Sequence, residues 1–143
     1  MKVKEILGSK AATIITITAQ ESLQDASELL AKHNIGAVVV VDKNDTPVGI
    51  LSERDIVRQV AAHQSEALQL KVNDFMTKDV IIGFLDDDLS YVSSTMTDKR
   101  IRHLPIMQDK KLVGMVSIGD IVKAQLDHFA NEAHMLRQYI TGG

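Results

Sequence analysis

The chain of 143 residues contains no cysteine and no tryptophan. Without a thiol it can form no disulfide, no cysteine nucleophile and no zinc–thiolate site. Three Phe and two Tyr leave few rings on which unpaired bases could stack. Excess positive charge is lacking too, since the formal net charge is −3. We therefore expect no basic patch of the kind that binds nucleic acid or an anionic membrane.

Long hydrophobic runs are also missing. The longest apolar run, Ala37–Val41, has the length of a strand and falls far short of the ~18 apolar residues of a membrane span. The first residues, Met1–Glu5, lack the apolar core of a signal peptide. We expect a cytoplasmic protein without a membrane partner.

Catalytic motifs are absent as well. The sequence has no Gly-rich dinucleotide fingerprint, no Walker lysine, no His-Glu-x-x-His and no Gly-x-Ser-x-Gly. The five histidines show no ligand spacing. The acidic run Asp86–Asp88 is interpreted as a solvated turn that caps a helix rather than as a set of metal ligands. We expect no catalytic residue and no metal site.

What the chain does contain is an internal repeat. The segment Gly49–Val57 returns as Gly114–Val122, 65 residues later, and the segments upstream of each align at a spacing of 66. The length difference falls at the polar turn Lys43–Thr46, which corresponds to the shorter Asp109–Lys111. A change of length confined to a hairpin tip is tolerated between two copies of one folded unit.

Each unit has the pattern of a strand, a helix, two strands joined by a hairpin, and a second helix. The predicted elements are Thr13–Thr18, a helix from Ser22 to His33-Asn34, Val38–Val41, Val48–Leu51 and a helix from Ser52, then Val80–Ile82, Asp88–Lys99, His103–Met107, Leu112–Val116 and a helix from Ser117. Matching lead-ins, Val3–Leu7 and Val72–Met76, precede the two units. We assign residues 1–63 to repeat one, 64–71 to a linker, 72–127 to repeat two and 128–143 to a C-terminal helical extension.

A Ser-x-x-Asp motif follows the last strand of each unit, as Ser52 with Asp55 and as Ser117 with Asp120. One interpretation is helix capping, with each serine as the N-cap and each aspartate three residues on. The other is ligand binding: a helix N-terminus attracts phosphate, while an aspartate can accept hydrogen bonds from ribose hydroxyls. The sequence leaves both open.

Gly49–Asp55 and Gly114–Asp120 resemble the signature of CBS domains, which occur in pairs as a Bateman module. Ile35–Asp42 and Arg102–Ile106, the latter including Pro105, are similar to the middle strands of that family. The resemblance covers about residues 3–127 and is closest to small stand-alone bacterial proteins. It implies an α/β (α+β) fold of two βαββα repeats packed by pseudo-twofold symmetry, here with an extended C-terminal helix.

The resemblance also implies adenosyl ligands, such as AMP, ADP, ATP, NAD(H) or S-adenosylmethionine, in clefts between the repeats. Asp55 and Asp120 would hold ribose, with Ser52 and Ser117 near ribose or phosphate. The adenine pockets would be lined by Ile14, Ile15, Val80, Ile81 and Ile82, and Pro105 is also expected in the nucleotide site.

Phosphate has two candidate partners. Arg102, with His103 beside it, could contact phosphate in repeat two, where repeat one has Gly36-Ala37; the alternative for Arg102 is an exposed strand residue. Arg54 is the second candidate, unless it only pairs with Glu53. We therefore expect the Asp120 cleft to bind more tightly and the Asp55 cleft to be weaker or empty.

The last helix carries apolar residues at a 3.5-residue period. They are Val122, Leu126, Phe129, Ala133, Leu136 and Ile140. This is the pattern of a coiled-coil seam, which indicates either a homodimer contact or a helix that packs back on its own domain.

Taken together, the sequence predicts a non-catalytic module that senses adenine nucleotides as a homodimer and acts on an unknown regulated protein, with no required cofactor. The chief alternative is a ligand-free structural or protein-interaction module. A third, an enzyme that hydrolyses nucleotides, lacks a nucleophile–base pair in the sequence.

Overall fold

The computed structural model describes residues 1–8 and 14–141, and in this part of the chain two three-stranded sheets alternate with helices. The elements are α1 (Val3–Leu7), β1 (Thr16–Thr18), α2 (Leu23–His33), β2 (Ala37–Val41), β3 (Pro47–Ser52), α3 (Glu53–His63), α4 (Val72–Phe75), β4 (Gly83–Phe84), α5 (Leu89–Lys99), β5 (His103–Gln108), β6 (Lys111–Ser117) and α6 (Ile118–Thr141). The two βαββα repeats and the long final helix are confirmed.

In repeat one, β2 lies in the middle of the sheet, parallel to β1 and antiparallel to β3. Its five side chains are all buried, as a continuous β-branched run predicts for a strand covered on both faces. A capping box begins α2, since Ser22 accepts from the amide of Asp25 and the Asp25 carboxylate accepts from the amide of Ser22. Asn34 ends α2 in the left-handed conformation, with φ of 52°, which turns the chain back into the sheet.

Repeat two has the same order, with β5 between β4 and β6. Arg100 ends α5 with φ of 56°, as Asn34 ends α2. Both sheets carry a register shift at the matching point, after Val40 in one and after Ile106 in the other. The correspondence extends to irregular details of the backbone, as expected for two copies of one unit.

One prediction for repeat two is wrong. Val80–Ile82 do not form a strand, and β4 begins only at Gly83, because the amide of Val80 donates to the carbonyl of Lys78 and holds the chain in a turn before it reaches the sheet. The acidic run Asp86–Asp88 does form a turn at the start of α5, as predicted, although its aspartates make no side-chain bond to the first turn of the helix. Asp88 is the N-cap residue without a side-chain bond, while Asp86 pairs with Lys4 and Asp87 accepts from the amide of Phe84.

The two lead-ins are exchanged between the repeats. In α1, the amides of Val3 and Lys4 donate to carbonyls of Asp87 and Leu85 in repeat two. In α4, the amides of Val72 and Asn73 donate to the matching carbonyls, Glu21 and Ala19, in repeat one. Val3 is accordingly buried in the core of repeat two and Val72 in the core of repeat one. These reciprocal bonds relate the halves by an approximate twofold symmetry.

The predicted linker is structured, since Gln64–Gln69 form a 3-10 helix in which Ala67 is buried. Beyond the core, α6 continues with its apolar residues exposed: Leu126, Phe129, Leu136 and Ile140 are 61–71% exposed. The alternative in which this face packs back on its own domain is therefore wrong. No helix in the described residues is long and apolar enough to cross a membrane.

Candidate functional site

Both Ser-x-x-Asp motifs form capping boxes. The amide of Ser52 donates to Asp55 Oδ2 at 2.9 Å, and the amide of Asp55 donates to Ser52 Oγ at 3.2 Å. The matching distances for Ser117 and Asp120 are 2.9 and 3.1 Å. The capping interpretation is thus confirmed for both motifs. It also fixes each half-buried carboxylate at the N-terminus of a long helix.

One of these helix ends opens into a cleft of about 270 Å³ between the repeats. Repeat two contributes side chains from β5, β6 and the start of α6, and repeat one contributes the turn after α2 and the start of β2. The lining residues are Asn34, Ile35, Gly36, Ala37, His103, Met115, Ser117 and Asp120. The half-buried Ile35 and Met115 give the cleft an apolar part beside the polar Ser117 and Asp120.

Gly36 of repeat one and His103 of repeat two lie close together across this cleft. A Cβ atom on Gly36 would lie 3.8 Å from His103 Nε2 and 3.6 Å from Glu53 Oε1. The carbonyl of Gly36 accepts from the amide of Glu53, and the corresponding carbonyl of Arg102 accepts from the amide of Ile118, both at 2.9 Å. The residue before β2 is therefore hydrogen-bonded to the first turn of α3, and the residue before β5 to the first turn of α6.

His103 is half-buried, and this burial is the main reason why the pKa of its imidazole is lowered. The charge of Asp120, followed by that of Glu53, opposes this shift, while Arg102 adds to it. Because the pKa of His103 falls below its ordinary value of about 6.5, the ring is neutral near pH 7. Among the described residues that line this cleft, Asp120 is then the charged one, and none is Lys or Arg.

Of the residues predicted to bind a ligand, His103, Ser117 and Asp120 come together in this cleft. The others lie elsewhere among the described residues. Among the polar ones, Ser52 and Asp55 cap α3, and Arg54 and Arg102 are exposed. Of the apolar ones, Pro105 is buried in β5 opposite Met115, and Ile15 and Ile81 pack against the two cores. Val80 is half-buried, Ile82 is 41% exposed, and Ile14 lines a separate cavity beside the hairpin tips. The roles of these residues in binding stay predictions.

Sequence reasoning missed the contribution of Asn34, Ile35 and Met115 to this cleft. Their signal was available in the repeat itself, since Ile35 corresponds to Ile101 and Met115 to Ile50. The alignment of the two repeats does not reveal which residues of one repeat face which residues of the other across the cleft.

The chain belongs to the CBS domain family, whose model matches residues 3–62 and 72–127. It is 36% identical over 130 residues to the mitochondrial CBS domain-containing protein CBSX3 of Arabidopsis thaliana, covering 88% of this chain and 63% of that protein. The chain thus spans less than two thirds of that relative.

Solved structures agree with this assignment. The CBS-domain containing protein ATU1752 from Agrobacterium tumefaciens superposes with a TM-score of 0.82 at 37% identity, over 87% of this chain and 99% of that one. The CBS domain pair of protein MJ0100, solved with 5-methylthioadenosine and S-adenosyl-L-methionine, has a TM-score of 0.74 at 28% identity, over 90% and 98% of the two chains.

Proposed function

We propose that the protein is a non-catalytic regulatory module, acting as a homodimer, that binds an adenosyl ligand in the cleft next to Asp120. The observation that carries this proposal is the placement of the capped carboxylate at the start of α6, facing apolar residues of the other repeat. A ligand held there contacts both repeats at once. Its binding free energy therefore depends on how the repeats pack, which is what a sensor requires.

Each part of an adenosyl group has a suitable counterpart in the cleft. The Asp120 carboxylate can accept hydrogen bonds from ribose hydroxyls, and the half-buried Ile35 and Met115 offer apolar surface for adenine. The relative MJ0100, bound to 5-methylthioadenosine and S-adenosyl-L-methionine, supports this class of ligand.

The charge of the cleft favours ligands with few phosphates. Asp120 is a carboxylate, His103 is neutral near pH 7, and the negative charge of Glu53 acts on His103 more strongly than the positive charge of Arg102 does. Each further phosphate brings negative charge toward these carboxylates, whereas the described lining holds no Lys or Arg to receive it. Among adenine nucleotides and related compounds, we expect AMP and S-adenosylmethionine to bind more tightly than ATP, with NAD(H) between them.

Calorimetric titration with AMP, ATP, NADH and S-adenosylmethionine tests this proposal. Asp120→Asn keeps the size of the side chain but removes its charge, so we expect affinity to fall about 10- to 100-fold, as for the loss of hydrogen bonds to a charged group. Asp55→Asn is the matched control, because Asp55 caps α3 in the same way. Its affinity should stay close to that of the wild type.

Three results would contradict the proposal. Loss of binding in Asp55→Asn alone would assign the ligand to the other helix end. ATP binding more tightly than AMP would overturn the charge argument. Heat from none of the four ligands, with a folded wild type, would favour the protein-interaction module.

A further inference from the structure

The helix α6 has two faces with different surroundings. On one face Ile121 is buried and Ala124 packs against the core of repeat two, and His128 and Asn131 line a groove that runs beside α1. On the opposite face Val122, Leu126, Phe129, Leu136 and Ile140 are 47–71% exposed. The apolar residues of that face are therefore mostly exposed to solvent, and of them Phe129 also borders a cavity beside the start of α5.

Within the part of the chain that the structure describes, the second half of α6 is exposed along its whole length. Every residue from 126 to 140 is exposed, although the helix continues unbroken to Thr141. A segment of this length is marginally stable as an isolated helix in water. A partner along the apolar face would stabilise it and would remove five large side chains from solvent.

We propose that the partner is a second copy of this chain, and that the two α6 helices pair in register as a parallel coiled coil. The exposed apolar residues follow alternating steps of four and three, which is the heptad pattern of a two-stranded seam. With Leu126, Ala133 and Ile140 at position a, the residues at position d are Val122, Phe129 and Leu136. A face of this kind is complementary to itself under twofold symmetry.

The charges beside the seam select the parallel orientation. In a parallel pair, position g of one helix faces position e of the next heptad on the other. Glu132 then meets Arg137 of the second copy, and symmetry repeats this attractive contact. The antiparallel register that aligns the same apolar residues would place Lys123 opposite Arg137 of the second copy and Glu132 opposite its own counterpart, so that like charges meet at every charged position.

Glu132 keeps its contact within the chain in this arrangement. His128 Nε2 lies 3.2 Å from Glu132 Oε1, and a carboxylate has enough lone pairs to accept from an arginine of the other chain as well. This coiled coil would be the contact that forms the homodimer proposed above. None of its tests contains a ligand, so its failure and the failure of ligand binding are distinguishable.

The first test compares two neighbouring residues of similar exposure. Leu136 lies in the seam and is 61% exposed, whereas Met135 lies outside it and is 68% exposed. Sedimentation equilibrium of the wild type should show a dimer. Leu136→Glu should raise the dimer dissociation constant at least tenfold, and Met135→Glu should leave it nearly unchanged. A monomeric wild type, or equal effects of the two variants, would overturn the proposal.

The orientation can be tested by cross-linking, because the chain has no cysteine of its own. In a parallel pair the two Ala133 positions face each other within the about 7 Å that a disulfide can bridge. Ala133→Cys should therefore form a disulfide-linked dimer on mild oxidation, and Gln138→Cys, on the far side of the helix, should not. Cross-linking of Ala133→Cys only to an added Phe129→Cys protein would show the antiparallel register and overturn the proposal.

A charge reversal gives an independent readout with opposite signs for the two orientations. Arg137→Glu places glutamates against Glu132 of the second copy in the parallel pair, so dimerisation should weaken. The double variant Glu132→Arg with Arg137→Glu should restore it. In the antiparallel register the single variant would face Lys123 and tighten the dimer, which would contradict the proposal.

Discussion

The glycine that opens each signature lies against the lead-in that packs on its repeat. A Cβ on Gly49 would lie 2.5 Å from Met76 Sδ and 3.1 Å from the carbonyl oxygen of Thr77. A Cβ on Gly114 would lie 3.0 and 3.2 Å from the two methyl groups of Leu7. The repeated glycine therefore makes room for the exchanged lead-in at both positions, and the fit is tighter at Gly49.

Gly49→Ala should destabilise the protein by about 1–3 kcal/mol, the usual cost of overpacking, because the added Cβ meets both Met76 and the backbone oxygen of Thr77. Gly119→Ala is the matched control, since the nearest atom to its added Cβ is Ser117 Oγ at 3.6 Å. That position lies in α6, where alanine is favoured over glycine by roughly 0.5–1 kcal/mol. Urea unfolding of both variants measures the difference. Equal stability of the two would contradict this account of the signature glycine.

His103 should make stability depend on pH. Burial lowers the pKa of the folded-state imidazole below that of the unfolded chain, so the unfolded state binds more protons between the two values. Stability is therefore fully present above the unfolded pKa of about 6.5 and is lost as the pH falls below it.

Urea unfolding between pH 7.5 and 5.5 tests this expectation. His103→Gln should lose less of its free energy of unfolding over that range than the wild type does. His63→Gln, with an exposed side chain, should behave as the wild type. The same pH slope in His103→Gln and the wild type would contradict the prediction.

At the scale of elements, most of the architecture could be predicted from local pattern. The β-branched run of β2, the capping boxes of α2, α3 and α6, and the polar hairpin tips each have a physical signature that does not depend on distant residues. The strand expected at Val80–Ile82 failed because a turn bond between Val80 and Lys78 decides the path of the chain there. An apolar triplet does not reveal such a bond.

The short helix α1 should contribute to the stability of repeat two although it belongs to the first segment of the chain. Val3 is fully buried in that core, so Val3→Ala should lower the free energy of unfolding by about 2 kcal/mol. Lys4→Ala is the control, because it removes only an ion pair with Asp86 that is exposed to solvent. Chemical denaturation compares the two. A Val3→Ala protein as stable as Lys4→Ala would show that α1 is not part of the core.

At the scale of the whole molecule, the sequence predicted two repeats but not how they are joined. The apolar residues Val3, Ile6 and Leu7 indicate that α1 has a face to bury, but the sequence does not show which repeat covers that face. The candidate cleft has the same limit. Ser117 and Asp120 were identifiable from their motif, whereas Asn34 and Ile35 join the site only because the two repeats face each other there.

The exchange of lead-ins predicts that the described halves unfold together. Each repeat is about the size at which a single core is marginal on its own, and each receives hydrogen bonds and a buried valine from the segment that precedes the other. Scanning calorimetry at a fixed protein concentration should therefore show one transition whose calorimetric and van't Hoff enthalpies agree.

Core variants in either half sharpen this test. Leu23→Ala in repeat one and Leu104→Ala in repeat two remove side chains that are at most 2% exposed, and each should destabilise the protein by about 2–5 kcal/mol. Because the halves depend on each other, both variants should move the same single transition to lower temperature. A second peak that stays at the wild-type temperature in either variant would show that the repeats fold independently, and that the exchanged lead-ins do not couple them.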